Sequence, residues 1–95
     1  MNIIIFHVYV AGASGNGKQL LKLYDEACKV CLKEGGYRIE IIDILKKPQL
    51  AEKHKVLATP TISRTDPGPE KRIIGKLNNE QAVTAIKFLT EDLLI

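Results

Sequence analysis

Two cysteines stand three residues apart in Cys28-Lys-Val-Cys31, the C-x-x-C spacing of a dithiol that can cycle to a disulfide. That chemistry needs a thiolate, which the free amides and macrodipole of a helix N-terminus would stabilise. The surrounding apolar residues Leu20, Tyr24, Ala27 and Cys31 recur at spacings of four, three and four. This periodicity predicts an amphipathic helix with the cysteines about ten residues into it, near the end where the dipole opposes a thiolate. Side chains at i and i+3 also hold their Cβ atoms about 5–6 Å apart, against roughly 3.5–4.5 Å for a disulfide. The pair reads as small apolar residues on a core-facing stripe. Thiol–disulfide exchange or redox regulation through Cys28 and Cys31 is the alternative function.

A second constellation is Gly12-Ala-Ser-Gly-Asn-Gly-Lys18, which fits G-x4-G-K between a strand and a helix. Backbone amides and a lysine at a helix N-terminus make a phosphate cradle. The next residue is Gln19, where magnesium needs a Ser or Thr hydroxyl. Asp43 could stand in for the acidic residue ending a second strand, but the chain is too short for a nucleotide-hydrolysing core. A strained βα turn relieved by glycines is the simpler reading. No cysteine lies between Gly12 and Gly17, where a redox pair on this kind of scaffold would sit. A metal site would need two ligands besides the cysteines, and His7 and His54 lie on other elements without ligand spacing. No cofactor and no metal is implied. The third constellation is charged: Lys46, Lys47, Glu52, Lys53, His54, Lys55, Arg64, Lys71 and Arg72. It is either a solvated face or a recognition surface that steers a partner.

The elements that must position these residues follow from periodicity and breakers. Ile3 to Val10 is β-branched on both parities, as in a strand covered on both faces. The helix carrying the cysteines runs from Gly17 or Lys18 to about Glu34, closed by Gly35-Gly36. Tyr37 to Asp43 is a second strand, parallel to the first after a right-handed crossover and lying at a sheet edge where a partner strand could add. Pro48 opens a short helix to about His54. Thr59 to Arg64 and Lys71 to Ile74 form a hairpin across the Thr65–Pro69 turn cluster. A last helix, capped by Asn78 or Asn79, presents Val83, Ile86, Leu89 or Thr90, and Leu93 to the core. The order is βαβαββα, an α/β arrangement. Its third strand opens through Thr59-Pro60, the grammar of a thioredoxin-like domain, with one domain expected over residues 1–95.

Composition sets the outer bounds. The chain has 95 residues, 45% apolar and 26% charged, with a net charge of +3 and only five aromatic residues by count of Phe and Tyr. No basic run exceeds two residues, so no nucleic-acid partner is expected. No apolar stretch approaches a membrane span, and the N-terminus lacks a charged leader region. Two thiols without a secretion signal point to the cytoplasm.

Specific blocks narrow the reading further. Tyr9-Val-Ala-Gly12, Ile42-Asp-Ile-Leu-Lys-Lys-Pro-Gln-Leu-Ala-Glu52, Lys55-Val-Leu-Ala-Thr-Pro-Thr-Ile62 and Arg72-Ile-Ile-Gly75 resemble the KaiB family of the bacterial circadian clock. The resemblance implies a non-enzymatic protein that binds the N-terminal ATPase ring of KaiC, a hexameric ATPase and autokinase. It also implies a KaiA-like protein and a histidine kinase with a related domain as further partners, and self-association as a dimer or tetramer. Partner contacts are expected at Lys46, Lys47, Gln49, Glu52, Lys55, Arg64 and Arg72. The family is metamorphic, so the alternative to the thioredoxin-like fold is the KaiB ground-state fold with a rearranged C-terminal half. Pro60 and Gly75 lie in that half. Ile86 and Phe88 replace a glycine and an aspartate of cyanobacterial relatives, and losing an interior glycine favours the helix by about 0.5–1 kcal/mol. The thioredoxin-like state is therefore expected to be favoured here. The Gly-rich loop, Lys76 and the Leu93-Leu-Ile95 ending also depart from the clock proteins, which suggests a diverged KaiB–KaiC pair in stress adaptation or signalling.

Overall fold

In the computed structural model, residues 3–12 and 16–93 are described. The elements are β1 (Ile4–Val10), α1 (Gly17–Cys31), β2 (Tyr37–Asp43), α2 (Pro48–Lys53), β3 (Thr61–Asp66), β4 (Lys71–Ile74) and α3 (Asn79–Thr90). The sheet order is β2-β1-β3-β4, with β1 and β2 parallel and the other neighbours antiparallel. This is the thioredoxin-like βαβαββα topology, with β2 at an edge as expected. Among the described residues no helix is long and apolar enough to cross a membrane.

Strand alternation sorts the sheet into two unlike faces. Phe6, Val8 and Val10 of β1 and Ile62 of β3 bury against Leu20, Tyr24, Ala27 and Cys28 of α1 and Ala82, Ile86 and Leu89 of α3. The opposite parity carries His7 and Tyr9 on β1, which pair across the sheet with Glu40 and Ile42 on β2 and with Ser63 and Thr61 on β3. That face meets the His54 ring, just past α2, through Tyr9. β1 is covered on both faces as expected: Phe6, Val8, Val10 and Tyr9 are buried and Ile5 and His7 half-buried.

Element ends shift for local reasons. α1 stops at Cys31 rather than Glu34, because Leu32 turns to extended backbone and packs against the core. Gly35 instead serves the following turn at φ +76. β3 starts at Thr61 rather than Thr59, since Pro60 has no N–H for the ladder and its carbonyl accepts from Gly75 N at 2.9 Å. The Thr59–Pro60 bond is cis. α3 is closed by a capping box in which Gln81 N donates to Asn78 Oδ1 (2.8 Å) and Asn78 N to Gln81 Oε1 (2.9 Å). Its buried stripe includes Ala82 and Ala85 alongside Ile86, Leu89 and Thr90, so Val83 and Leu93 are only half-buried. Small alanines let α3 approach α1 closely.

Arg64 sits on the helix side of β3 with no solvent exposure. Its Nη1 donates to the Leu89 carbonyl at 2.9 Å and to Asp92 Oδ1. Its Nη2 donates to the Pro69 carbonyl at 2.7 Å and to Asp92 Oδ2 at 3.0 Å. One guanidinium thus joins β3, the β3–β4 turn and the C-terminal end of α3. Asp92 is 35% exposed, so the loss on Arg64→Ala comes from the Leu89 and Pro69 carbonyls it leaves without their donor, about 1–3 kcal/mol for each buried group left unmet, and urea-unfolding stability should fall accordingly. The hydrogen bond from Arg64 holds the Asp92 carboxyl below its ordinary value of 3.8. The folded state then binds that proton less readily than the unfolded chain, so this contribution is present above pH 3.8 and lost as pH falls through the folded value. Asp92→Asn should flatten the acid limb of the stability profile. An unchanged limb would remove Asp92 from the clamp.

Candidate partner-binding site

The expected surface residues gather around α2. Its approach is organised by Asp43, whose Oδ1 accepts from Gly12 N and from Leu45 N, each at 2.9 Å. The Asp43 carbonyl accepts from Lys46 N (3.1 Å) and Lys47 N (3.0 Å). The Gly12 amide bond, with that of Leu45, holds the Asp43 carboxyl below its ordinary range. Asp43 is therefore a turn-former that sets Lys46 and Lys47 ahead of Pro48, which occupies the first turn of α2.

The far end of α2 closes in a Schellman arrangement. Lys55 N donates to the Glu52 carbonyl at 3.2 Å and Val56 N to the Ala51 carbonyl at 2.8 Å. The left-handed residue of that motif is Lys55, at φ 54, where glycine is the usual occupant. Two remaining carbonyls are met from β4: Arg72 Nη2 donates to His54 O (2.7 Å) and Nη1 to Lys55 O (3.1 Å). Glu70 grips the same guanidinium at 2.9 and 2.8 Å, and Ser63 Oγ donates to Glu70.

Lys46, Lys47, Gln49, Glu52 and Lys55 are all exposed, and α2 contributes no residue to the core. Arg72 is half-buried with its guanidinium committed to α2 and Glu70. Arg64 is the correction: expected at the partner surface, it is buried on the other face because Asp92 and three elements close over it. Sequence reading missed Ser63, Glu70 and Asp92. The alternation Thr61-Ile-Ser-Arg-Thr65 carried a signal for Ser63, since it puts Ser63 opposite Ile62 in parity.

Gly75, at φ +118, donates its N–H to Pro60, so two residues named for the fold meet directly. Ile86 is fully buried in α3, and Phe88 is 45% exposed with the Lys71 ammonium 4.8 Å from its ring centre. Burying an isoleucine is worth about 1.5–3 kcal/mol, more than the helix-propensity gain from replacing a glycine. Cys28 is buried and Cys31 half-buried near the end of α1. Burial raises both thiols, Cys28 to about 12, which opposes thiolate chemistry. The cleft of about 480 Å³ at the α1 N-terminus is lined by Asn16, Gln19, Pro60, Lys76 and neighbours, with no cysteine among its described lining residues. The Gly-rich loop's residues 13–15 lie outside the described residues, and among the described residues no three His, Cys, Asp or Glu groups gather for a metal.

A family model described as the KaiB domain matches residues 7–88. The circadian clock oscillator protein KaiB of Prochlorococcus marinus is 43% identical over 90 residues, covering 94% of this chain and 78% of that protein. The chain belongs to the KaiB family. The KaiB of Thermosynechococcus vestitus is 40% identical over 90 residues, covering 94% of this chain and 82% of its own. In structure, the N-terminal domain of Synechococcus elongatus SasA superposes with a TM-score of 0.71 at 14% identity, covering 97% and 87% of the two chains. A chloroplastic thioredoxin z gives 0.68 at 19% identity, covering 95% and 80%. These two likenesses define the fold. KaiB-family membership supports a non-enzymatic signalling protein rather than a dithiol enzyme.

The thiol placement predicts protection. Under neutral native conditions an iodoacetamide-treated sample should show Cys28 unmodified by mass spectrometry, with both thiols alkylated in denaturant. Rapid native alkylation of Cys28 would contradict its placement.

Proposed function

We propose that this KaiB-family chain is a non-enzymatic binding protein that docks through α2 onto the N-terminal ATPase ring of a KaiC-type hexamer and regulates clock-like or stress-adaptation signalling. The observation that carries this reading is Lys55. A lysine held at φ 54 occupies a position where glycine would fit with less backbone cost, about 1–2 kcal/mol for a left-handed non-glycine residue. Strain retained at an exposed helix end is a signature of a side chain kept for contact. Lys46 and Lys47 extend the same positive surface, Gln49 and Glu52 supply hydrogen-bonding registry, and Arg72 acts from beneath as a brace. A KaiA-like protein, a histidine kinase with a related domain and a second copy of the chain are further partners the family implies, with the β2 edge the natural site for strand addition.

The deciding variant is Lys55→Gly, which relieves backbone strain while removing the side chain. Unfolding stability should stay level or rise by about 0.5–1 kcal/mol. Affinity for a KaiC-type hexamer with ATP or ADP, measured by interferometry, should fall at least about tenfold. Full-strength binding by Lys55→Gly, or by a Lys47→Glu, Lys55→Glu protein, would move the interface elsewhere.

A further inference from the structure

The polar face of the sheet carries a continuous chain of side chains from β1 to α2. His7 Nδ1 lies 3.1 Å from Thr65 Oγ1, and Thr65 Oγ1 lies 3.4 Å from Ser63 Oγ. Ser63 donates to Glu70, Glu70 accepts from Arg72, and Arg72 donates to the His54 and Lys55 carbonyls. Ser63 gives its one hydroxyl proton to Glu70. Thr65 then gives its own either to Ser63 at 3.4 Å or to His7 Nδ1 at 3.1 Å. The shorter link, and the Glu40 carboxylate 3.8 Å from Nε2, select the Nε2–H tautomer with Thr65 donating to Nδ1, assigned from its network. A proton added at Nδ1 makes that nitrogen a donor to Thr65, whose hydroxyl must then turn to Ser63.

We infer that His7 binds a proton from solvent at Nδ1 and that the resulting turn of the Thr65 hydroxyl is relayed through Ser63, Glu70 and Arg72 to the carbonyls that close α2. The proton adds one positive charge and breaks no covalent bond. The groups facing His7 set its response. From β2, Glu40 favours the imidazolium and Arg38 opposes it; Glu70, beside β4, favours it; His54, after α2, opposes it. On its own strand, Tyr9 meets the ring edge-on at 6.1 Å between centroids. Burial is the largest influence and pushes the His7 imidazole below its ordinary 6.5. The folded chain thus takes up this proton less readily than the unfolded one. The stability it contributes is present above pH 6.5 and is lost as pH falls through the folded value. A charge at His7 attracts Glu70 and competes with Arg72 for it, which loosens the brace under Lys55. The inference rests on the reading of α2 as the partner surface, and makes that surface pH-responsive.

The test is an NMR titration of the free chain, so its outcome is independent of whether a KaiC-type ring binds. A His54→Gln background removes the second imidazole, with His54→Asn as an equivalent second background. Between about pH 5 and 8, the Lys55 and Val56 amide shifts should move with the midpoint of the His7 ring. That movement should vanish in His7→Asn and be lost in Thr65→Val, in which the His7 ring still titrates. Amides that stay still while His7 titrates, or that move equally in Thr65→Val, overturn the relay. A His7 ring that does not titrate in this range overturns the proton site.

Discussion

A guanidinium without access to water needs oxygens around it, and the two terminal nitrogens of Arg64 are met by Leu89, Pro69 and both oxygens of Asp92, while its buried Nε has no partner among the described residues. That requirement fixes three things together: the end of α3, the β3–β4 turn and the facing of β3. Because strand side chains alternate, committing Arg64 to the helix side commits Ser63 and Thr65 to the other. Those two are the middle links between His7 and the brace under α2. One strand therefore holds α3 from one face and α2 from the other. A one-residue slip of β3 would lose both.

The two faces contribute different things. The helix face supplies stability through Phe6, Val8, Ile62, Ile86 and Leu89, each buried to 1% or less, with each large side chain worth about 1.5–3 kcal/mol. The opposite face supplies position. α2 has no buried residue, so its placement depends on Asp43 at one end and on Arg72 at the other. Hydrogen bonds to charged groups contribute about 1.5–3 kcal/mol when desolvated, and less for a half-exposed arginine. That is enough to orient a six-residue helix but not enough to make it rigid. A helix held in this way stays sensitive to charge in its supports.

Much of the scaffold was legible in the sequence. The apolar spacing of α1, the cap at Asn78, Pro48 and the Gly35-Gly36 turn gave the element order and the parallel β1–β2 pair, because those signals are local. The Lys46–Lys55 cluster was legible as charge on a short helix. Arg64 was not, since only the register of β3 tells a surface arginine from one sealed by a carboxylate 28 residues away. Nor was the role of Arg72, which became a brace only when β4 came beneath the end of α2. Lys55 was readable as a charge, whereas its left-handed backbone emerged from the helix termination. The cysteine reading held because helix position decides thiol chemistry, and that position follows from periodicity.

The proposed function makes α2, held from β3 and β4, the face this KaiB-family chain offers to its partner. The most direct measurement is transfer of saturation from a deuterated KaiC-type hexamer to the ¹⁵N-labelled chain. The account predicts attenuated amides concentrated from Lys46 to Val56, with the polar sheet centre around His7 and Ser63 unaffected. Attenuation confined to the β2 edge or to the outer face of α3 around Phe88, with α2 untouched, would contradict it.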